Sequence, residues 1–357
     1  MDENQNYIRA CIDLARKGAG YVSPNPLVGC VIVKDGKKVS EGYHRAFGSP
    51  HAEVEAISNY NGDLTGTTLF VNLEPCSHFG KTPPCADLII NRGIKRVIIG
   101  TIDPNPLVAG KGIKKLTGAG VEVVTGILES ECRELNKFFF KYHEKHLPYV
   151  TLKIAQTLDG KVADPSYGSR WITGEKSRTA VHSFRSEYDA VLVGINTLKV
   201  DDPLLDARMV NGRNPRKIIL DKYFDSDITK KVFGSGETII ITSVNDKAKE
   251  ETFKAKGHKV ICLELSSDGG FDFSEMLMKI GSEGIISVLV EGGSRVFSSF
   301  VRSGFFDELL VFIAPKVLGS GIPAIENIGV NKIEDSLLLK PVEVRELDGD
   351  IFVRYVK

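Results

Sequence analysis

The chain has 357 residues, balances 46 Lys+Arg against 46 Asp+Glu, and is 42% hydrophobic and 26% charged, with 35 Gly and 15 Pro. These proportions exclude disorder, collagen and coiled coil as the main architecture, and the length argues for two domains. Residues 1–146 carry 18 Lys+Arg and 16 Asp+Glu and the rest 28 and 30, net +2 and −2, so neither part has the concentrated positive field that nucleic acid requires.

A small-molecule substrate is therefore expected, with no nucleic-acid partner. The first residues, MDENQNYIRA, are acidic and polar where a signal peptide is basic and then apolar, and no apolar run approaches the ~18 residues of a membrane span. A cytoplasmic protein without a membrane partner is the expectation, its six Cys reduced there.

In chain order, the first part reads as helix 6–17, strand 27–33, helix 52–59, strand 68–73, helix 86–91, strand 96–99, helix 112–117, strand 121–124 and helix 129–145. Strands alternating with helices at this spacing predict a largely parallel sheet covered on both faces. The polar run 141–146 followed by Leu147-Pro148 stops the last helix, which places a domain boundary near residue 147. Strands are predicted next at 149–155, 190–193, 217–220, 238–241 and 285–290. The end of the chain is strand-rich and closes with 351–356, so the second sheet should be mixed. Ser266-Ser267-Asp268-Gly269-Gly270 reads as a surface loop.

The strongest chemical signal is His51-Ala52-Glu53 followed by Pro75-Cys76 and Cys85. One His and two Cys supply the three protein ligands of a catalytic zinc, with a fourth position for water. Glu53 sits two residues from His51 in the expected first turn of a helix. A carboxylate there, itself not a ligand, can move the water proton to a leaving amine. His78 is the candidate for a fourth protein ligand, which would close the site; His44 and His78 can also touch substrate or serve as loop residues. Cys11, Cys30, Cys132 and Cys262 lack ligand spacing and read as small buried hydrophobes. His143 and His146, at a charged helix end, are expected to face solvent.

In the second part no G-x-G-x-x-G occurs, so a standard dinucleotide fingerprint is not indicated. The run Val288-Leu289-Val290-Glu291-Gly292-Gly293-Ser294-Arg295-Val296-Phe297 leads from a strand through two glycines into a helix, whose free N–H groups can face a pyrophosphate. A plain tight connection has the same sequence.

These motifs are similar to known ones. H-x-E followed by P-C and a second Cys resembles the signature of zinc nucleobase deaminases, although eight residues separate the cysteines here instead of two. The stretch Glu74-Pro75-Cys76-Ser77-His78-Phe79-Gly80-Lys81-Thr82-Pro83-Pro84-Cys85 resembles the deaminase half of the bifunctional riboflavin-biosynthesis deaminase-reductases, in which the longer loop is the expected form. Residues 151–161 (TLKIAQTLDGK), Ser169-Arg170-Trp171-Ile172-Thr173, residues 194–205 (GINTLKVDDPLL) and Glu291-Gly292-Gly293 resemble the reductase half and occur in its order.

The resemblance spans essentially the whole chain. It implies a cytidine-deaminase-like α/β/α domain over residues 1–146 and a dihydrofolate-reductase-like mixed α/β domain over 147–357, using zinc and NADPH. It implies hydrolytic deamination of 2,5-diamino-6-ribosylamino-4(3H)-pyrimidinone 5′-phosphate and then NADPH-dependent reduction of the ribosyl group to ribityl. It implies NADPH contacts at Ala155, Trp171, Thr197, Asp201, Gly293, Ser294, Arg295, Val296, Phe297, Ser298 and Ser299, and substrate contacts at Asn25, Ser169, Arg185, Leu205, Arg208 and Glu291.

Chemistry supplies reasons for some of these. Arg185 and Arg208 can grip a phosphate bidentately. Trp171 is either a flat face beside the cofactor or a core residue, and Asn25 is either a substrate contact or a turn former. Lys153 and Asp201 are candidate proton donors for reduction or partners in a structural ion pair. Thr242 and Ser243, at a strand end, lie where a 2′-phosphate could be met. A homo-oligomer is expected, with edge strands near the C-terminus as its contact. Two other readings are a nucleic-acid-editing deaminase with a non-catalytic C-terminal binding domain, and a C-terminal half acting as a small-molecule sensor.

Overall fold

The computed structural model describes residues 3–77, 84–106, 108–267 and 269–357, and the chain forms two compact units, Met1–His146 and Leu147–Lys357. Among the described residues, no helix is long and apolar enough to cross a membrane.

The first unit comprises α1 (Glu3–Arg16), β1 (Gly29–Lys34), β2 (Lys37–Tyr43), α2 (Ala52–Ser58), β3 (Thr68–Leu73), α3 (Cys85–Asn91), β4 (Arg96–Thr101), α4 (Lys111–Gly118), β5 (Glu122–Thr125), α5 (Glu129–Leu135) and α6 (Lys137–Lys145). Its sheet runs β2-β1-β3-β4-β5. The two-residue side-chain period of a strand explains why both faces are covered. Cys30, Ile32, Leu69, Val71, Val97 and Ile99 pack with Ala52, Ala56 and Ile89 on one face. Val31, Val33, Phe70 and Ile98 meet Ile8, Cys11, Ile12 and Cys132 on the other.

Two expectations are corrected here. The sheet is mixed, because β2 pairs antiparallel with β1 and β1 antiparallel with β3, while β3-β4-β5 are parallel. The sequence reading passed over β2 because its charged residues hide the alternation. The signal was the Asp35-Gly36 pair, whose φ angles of 49° and 72° form the tight hairpin turn that such a dipeptide favours. The single helix expected over 129–145 is broken at Asn136 (φ −108°). The buried Asn136 side chain accepts from Leu27 N–H at 2.7 Å and donates to Leu27 O at 2.9 Å, so it serves the chain ahead of β1.

The second unit comprises β6 (Tyr149–Thr157), β7 (Lys161–Ala163), α7 (Glu175–Glu187), β8 (Ala190–Gly194), α8 (Ile195–Asp201), β9 (Arg216–Leu220), β10 (Thr238–Thr242), α9 (Lys247–Lys254), β11 (Lys259–Cys262), α10 (Phe273–Ser282), β12 (Ser287–Gly292), α11 (Ser294–Ser303), β13 (Glu308–Ala314), β14 (Ile322–Pro323), β15 (Lys340–Leu347) and β16 (Asp350–Val356). Nine strands form one sheet in the order β11-β10-β9-β8-β12-β6-β13-β16-β15, parallel from β11 to β13 and antiparallel at β16 and β15. Parallel strands covered on both faces need uninterrupted apolar runs, which is how β8 and β10 read. Cys262, expected to be buried, is exposed because β11 is an edge strand. Of the loop at 266–270, Asp268 lies outside the described residues. Ser266 N–H donates to Gly270 O, as a tight loop requires.

Candidate functional site

In the first unit, His51 caps α2, Cys85 opens α3, and Cys76 follows the end of β3 by three residues. Chain crossing brings all three together. His51 Nδ1 lies 3.3 Å from Cys85 Sγ and 3.6 Å from Cys76 Sγ, and the three ligand atoms are within 4.8 Å of one another. Zinc with bonds of ~2.3 Å to sulfur and ~2.05 Å to nitrogen in a tetrahedron demands N···S edges of about 3.5 Å. The residues present fit that ion. Cys76 is held near 4, first by hydrogen bonding with Cys85 and further by His51, which favours the thiolate a metal needs. His78 and the loop from Phe79 to Pro83 lie outside the described residues.

Glu53, on the first turn of α2, is 3% exposed. Burial pushes its carboxyl up to about 7 against the opposing pull of His51. Asn25 Nδ2 is 3.2 Å from His44 Nε2, and His44 Nδ1 is 3.0 Å from Pro50 O. Since only a protonated Nδ1 can bond a carbonyl, Nε2 accepts from Asn25 and the Asn25 Oδ1 is left as an acceptor for a ligand. The buried His44 thus fixes the orientation of the Asn25 amide.

Sequence reasoning missed the supports of this cluster. Glu74, immediately before Pro75-Cys76, is buried and accepts from four backbone N–H groups, those of Asp103 (3.3 Å), Gly110 (2.9 Å), Gly112 (2.9 Å) and Ile113 (3.2 Å). A carboxylate at the start of α4 satisfies its free N–H groups and suits its dipole. A Cβ on Gly112 would stand 2.1 Å from Pro75 O, so only glycine permits this approach. Asn72 takes Gly29 N–H at 2.7 Å and gives to Leu27 O at 2.9 Å, fixing the chain that carries Asn25. His143, expected to face solvent, instead packs on Phe139 with ring centroids 4.4 Å apart. His146 is exposed.

In the second unit, Lys153, Arg185 and Glu291 converge. Arg185 Nε and Nη2 donate to the two Glu291 oxygens at 2.5 and 2.8 Å, and Lys153 Nζ is 3.2 Å from Glu291 Oε2. Glu291 is the extra residue where β12 slips register against β8, a bulge that re-aims its side chain. Burial pushes its carboxyl up, but Arg185 and then Lys153 outweigh this and hold it down at about 2. The expected roles shift accordingly. The Arg185 fork is occupied by Glu291, and its Nη1 donates to Asp206 O at 2.9 Å, so it does not present a free fork to phosphate. Lys153 pairs with Glu291 and not with Asp201. Arg208 is exposed and paired with Asp206. Leu205 is buried with a left-handed backbone (φ 54°), so only its backbone can meet a ligand.

The cofactor candidates lie on β6, on α8, in the segment before α7 and at the start of α11. Trp171 is 61% exposed and is not a core residue. Ser169 Oγ donates to Asp201 Oδ1 at 3.2 Å, and Arg170 Nη2 to Asp201 O at 2.5 Å. Thr197 abuts the glycine turn, its Oγ1 lying 3.0 Å from where a Gly292 Cβ would stand. Ala155 is half-buried on β6. The Gly293 to Ser299 stretch, read as a turn, is a cap followed by helix, with Gly293 at φ 76° and α11 starting at Ser294. Phe297 lies in the core, Ser294 Oγ donates to Pro323 O, and Ser298 Oγ donates to Ser294 O. The hydroxyl hydrogens of Ser294 and Ser298 are thus already committed, while Arg295 is exposed and Val296 and Ser299 are half-exposed. An uncapped helix start behind a glycine of this conformation fits a pyrophosphate. Thr242 and Ser243 both donate to Lys222 O, which leaves neither hydroxyl hydrogen for a phosphate.

The chain matches the family model "Cytidine and deoxycytidylate deaminase zinc-binding region" over residues 1–101 and "RibD C-terminal domain" over 148–353. It is 46% identical over 353 residues to the riboflavin biosynthesis protein RibD of Aquifex aeolicus, covering 98% of this chain and 97% of that protein. It is 36% identical over 370 residues to RibD of Escherichia coli, covering 99% of each. Among solved structures it is similar to a diaminohydroxyphosphoribosylaminopyrimidine deaminase/5-amino-6-(5-phosphoribosylamino)uracil reductase from Thermotoga maritima, with a TM-score of 0.90 and 41% identity over 99% of this chain and 98% of that one.

Proposed function

The chain belongs to the RibD family of bifunctional riboflavin-biosynthesis deaminase-reductases, and from that premise we propose how its residues divide the two reactions. It is a zinc-dependent deaminase and an NADPH-dependent reductase. The second half is thus neither a sensor nor a passive binding module.

Residues 1–146 carry out the deamination. His51, Cys76 and Cys85 would hold the zinc, which when bound would supply Lewis-acid activation of a water. Glu53, buried beside the ligands, takes the proton from the attacking water and delivers it to the departing exocyclic amine. Asn25, steadied by His44, accepts a hydrogen bond from the substrate.

Residues 147–357 carry out the reduction, for which NADPH supplies the hydride. Trp171, Thr197, Asp201 and the start of α11 line the cofactor side, with Ala155 beneath. Arg208 takes the substrate phosphate. Ser169, Glu291 and the backbone at Leu205 face the ribosyl group, and Arg185 contributes by holding Glu291. Either Lys153 or Asp201 gives the one proton that the hydride addition takes up as charge develops on the ribosylamine. K153M and D201N each keeping a near-normal reduction rate with unchanged NADPH affinity would remove that assignment.

The protein works in the cytoplasm on a small pyrimidine ribosyl phosphate, independently of nucleic acid, as a homo-oligomer. Edge strand β15 leaves Val342 and Val344 exposed, which suits a subunit contact. Sedimentation velocity tests the assembly.

The observation that carries the reading is the convergence of one His, two Cys and a buried Glu at a geometry fit for zinc, in a chain whose other unit is a reductase. Mass spectrometry of the diaminopyrimidinone ribosyl phosphate incubated with the protein tests it. The expected product without NADPH has exchanged an amine for a carbonyl oxygen, and NADPH adds two hydrogens. No change in either tube, with zinc present, would mean a different substrate.

A further inference from the structure

Trp171 is the only tryptophan of the chain, and the exposed segment that carries it is tied from two sides. Asp201 receives Ser169 Oγ and Arg170 Nη2 on one side. On the other, Lys316 Nζ donates to the carbonyls of Trp171 and Ile172 at 2.8 and 2.7 Å, across 145 positions of sequence. Arg178 lies over the indole with its guanidinium carbon 4.6 Å from the centroid, and its Nη1 donates to Thr173 O at 2.9 Å. An ammonium spent on two consecutive carbonyls neutralises no charge. It fixes the path of a backbone, here below a ring that makes little core contact of its own.

Lys316 is itself well placed to do this. Its carbonyl accepts from Leu158 N–H and its N–H donates to Ala314 O, each at 2.7 Å. Two and three residues on, Leu318 and Gly319 N–H donate to the Asp159 carboxylate at 3.0 and 2.8 Å. The loop after β13 is therefore anchored on the turn after β6, and β13 is the sheet neighbour of β6, with Phe312 opposite Ala155. Ligands of parallel sheets bind at these C-terminal strand ends. Through Lys316 the rigid sheet edge sets the position of the indole.

We propose that Lys316 is a positioning residue for the nicotinamide cofactor, holding the Trp171–Ile172 backbone so that the indole forms one wall of the cofactor site. The proposal rests on the reading of Trp171 as a cofactor contact. Lys316 is not assigned to a phosphate of the cofactor, because two of its three N–H bonds are taken by carbonyls.

Because Trp171 is the sole tryptophan, its emission reports this segment alone. The test uses the full chain as wild type, K316M and K316R. It measures emission anisotropy without cofactor, quenching on titration with NADPH and with NADH, calorimetric affinity for both, and kcat. Wild-type emission is expected to be quenched by NADPH. K316M should show lower anisotropy and bind NADPH and NADH more weakly by a common factor of roughly tenfold, with kcat at saturation within about twofold. K316R should recover most of both losses. Unchanged anisotropy and affinity in K316M would overturn the proposal, as would a loss confined to NADPH, which would make Lys316 a phosphate contact. Wild-type emission that NADPH leaves unquenched while calorimetry shows binding would instead remove the reading of Trp171, and the proposal with it.

Discussion

Arg185 meets Glu291 fork to fork, with parallel hydrogen bonds of 2.5 and 2.8 Å between side chains 13% and 5% exposed. Such a pair, desolvated and bidentate, is costly to break from one side, because the survivor is left charged and buried. R185A should therefore destabilise the reductase unit in urea unfolding, by less than the ~3–5 kcal/mol of a fully unpaired buried charge because Lys153 stays 3.2 Å from Glu291, and R185K should recover only part of this. R208A, at an exposed site, should leave the unfolding midpoint in place and raise the KM for the phosphorylated substrate roughly tenfold or more. Equal effects from the two arginines would contradict the division between holding Glu291 and holding phosphate.

The same pair sets an acid limit. Glu291 is held at about 2 in the folded chain, below the ~4.3 of a free glutamate. A depressed folded value contributes stability that is present above the ordinary value and is lost as pH falls through the window from ~4.3 to ~2. The stability advantage of wild type over E291Q should thus be constant near neutrality and shrink across that window. Urea unfolding of both proteins at stepped pH reads the difference, and a constant gap would mean that the pair does not titrate there.

At the metal cluster, retention and turnover should separate. E53Q keeps the ligands and so should keep its zinc by elemental analysis, while deamination falls by roughly 100-fold or more. C85S should lose both metal and deamination. Reduction of pre-deaminated substrate should survive in both variants, since it belongs to the other unit. Wild-type deamination in E53Q would end the assignment of Glu53 as the proton carrier.

Glu74 touches no ligand position, yet its carboxylate gathers four N–H groups directly beside the Pro75-Cys76 step. E74Q exchanges one acceptor oxygen for a donor that faces N–H groups. Zinc affinity should fall roughly 10–100-fold, as it does when the partners of metal ligands are altered, and competition with a chelator measures it. Unchanged affinity would mean that Cys76 is held by the strand end alone.

The sequence by itself determined what is written within a few residues. Short apolar runs at 27–33, 68–73 and 96–99 specified strands buried on both faces, and His-x-Glu with two downstream cysteines supplied a zinc donor set within the sequence itself. Where local signals competed, reading failed. The charges of β2 masked its alternation although Asp35-Gly36 marked the hairpin, and Asn136 broke a helix for the sake of a carbonyl 109 positions away. Only the tertiary structure decided which partners the charged side chains take. Arg185 and Glu291 are 106 positions apart, and Lys316 and Trp171 are 145 apart. Side-chain chemistry states that an arginine can grip either a phosphate or a carboxylate. Which one it grips depends on what the crossing strands and the bulge at Glu291 bring within 3 Å, and that distance is a property of the packed sheet and of no local stretch of sequence.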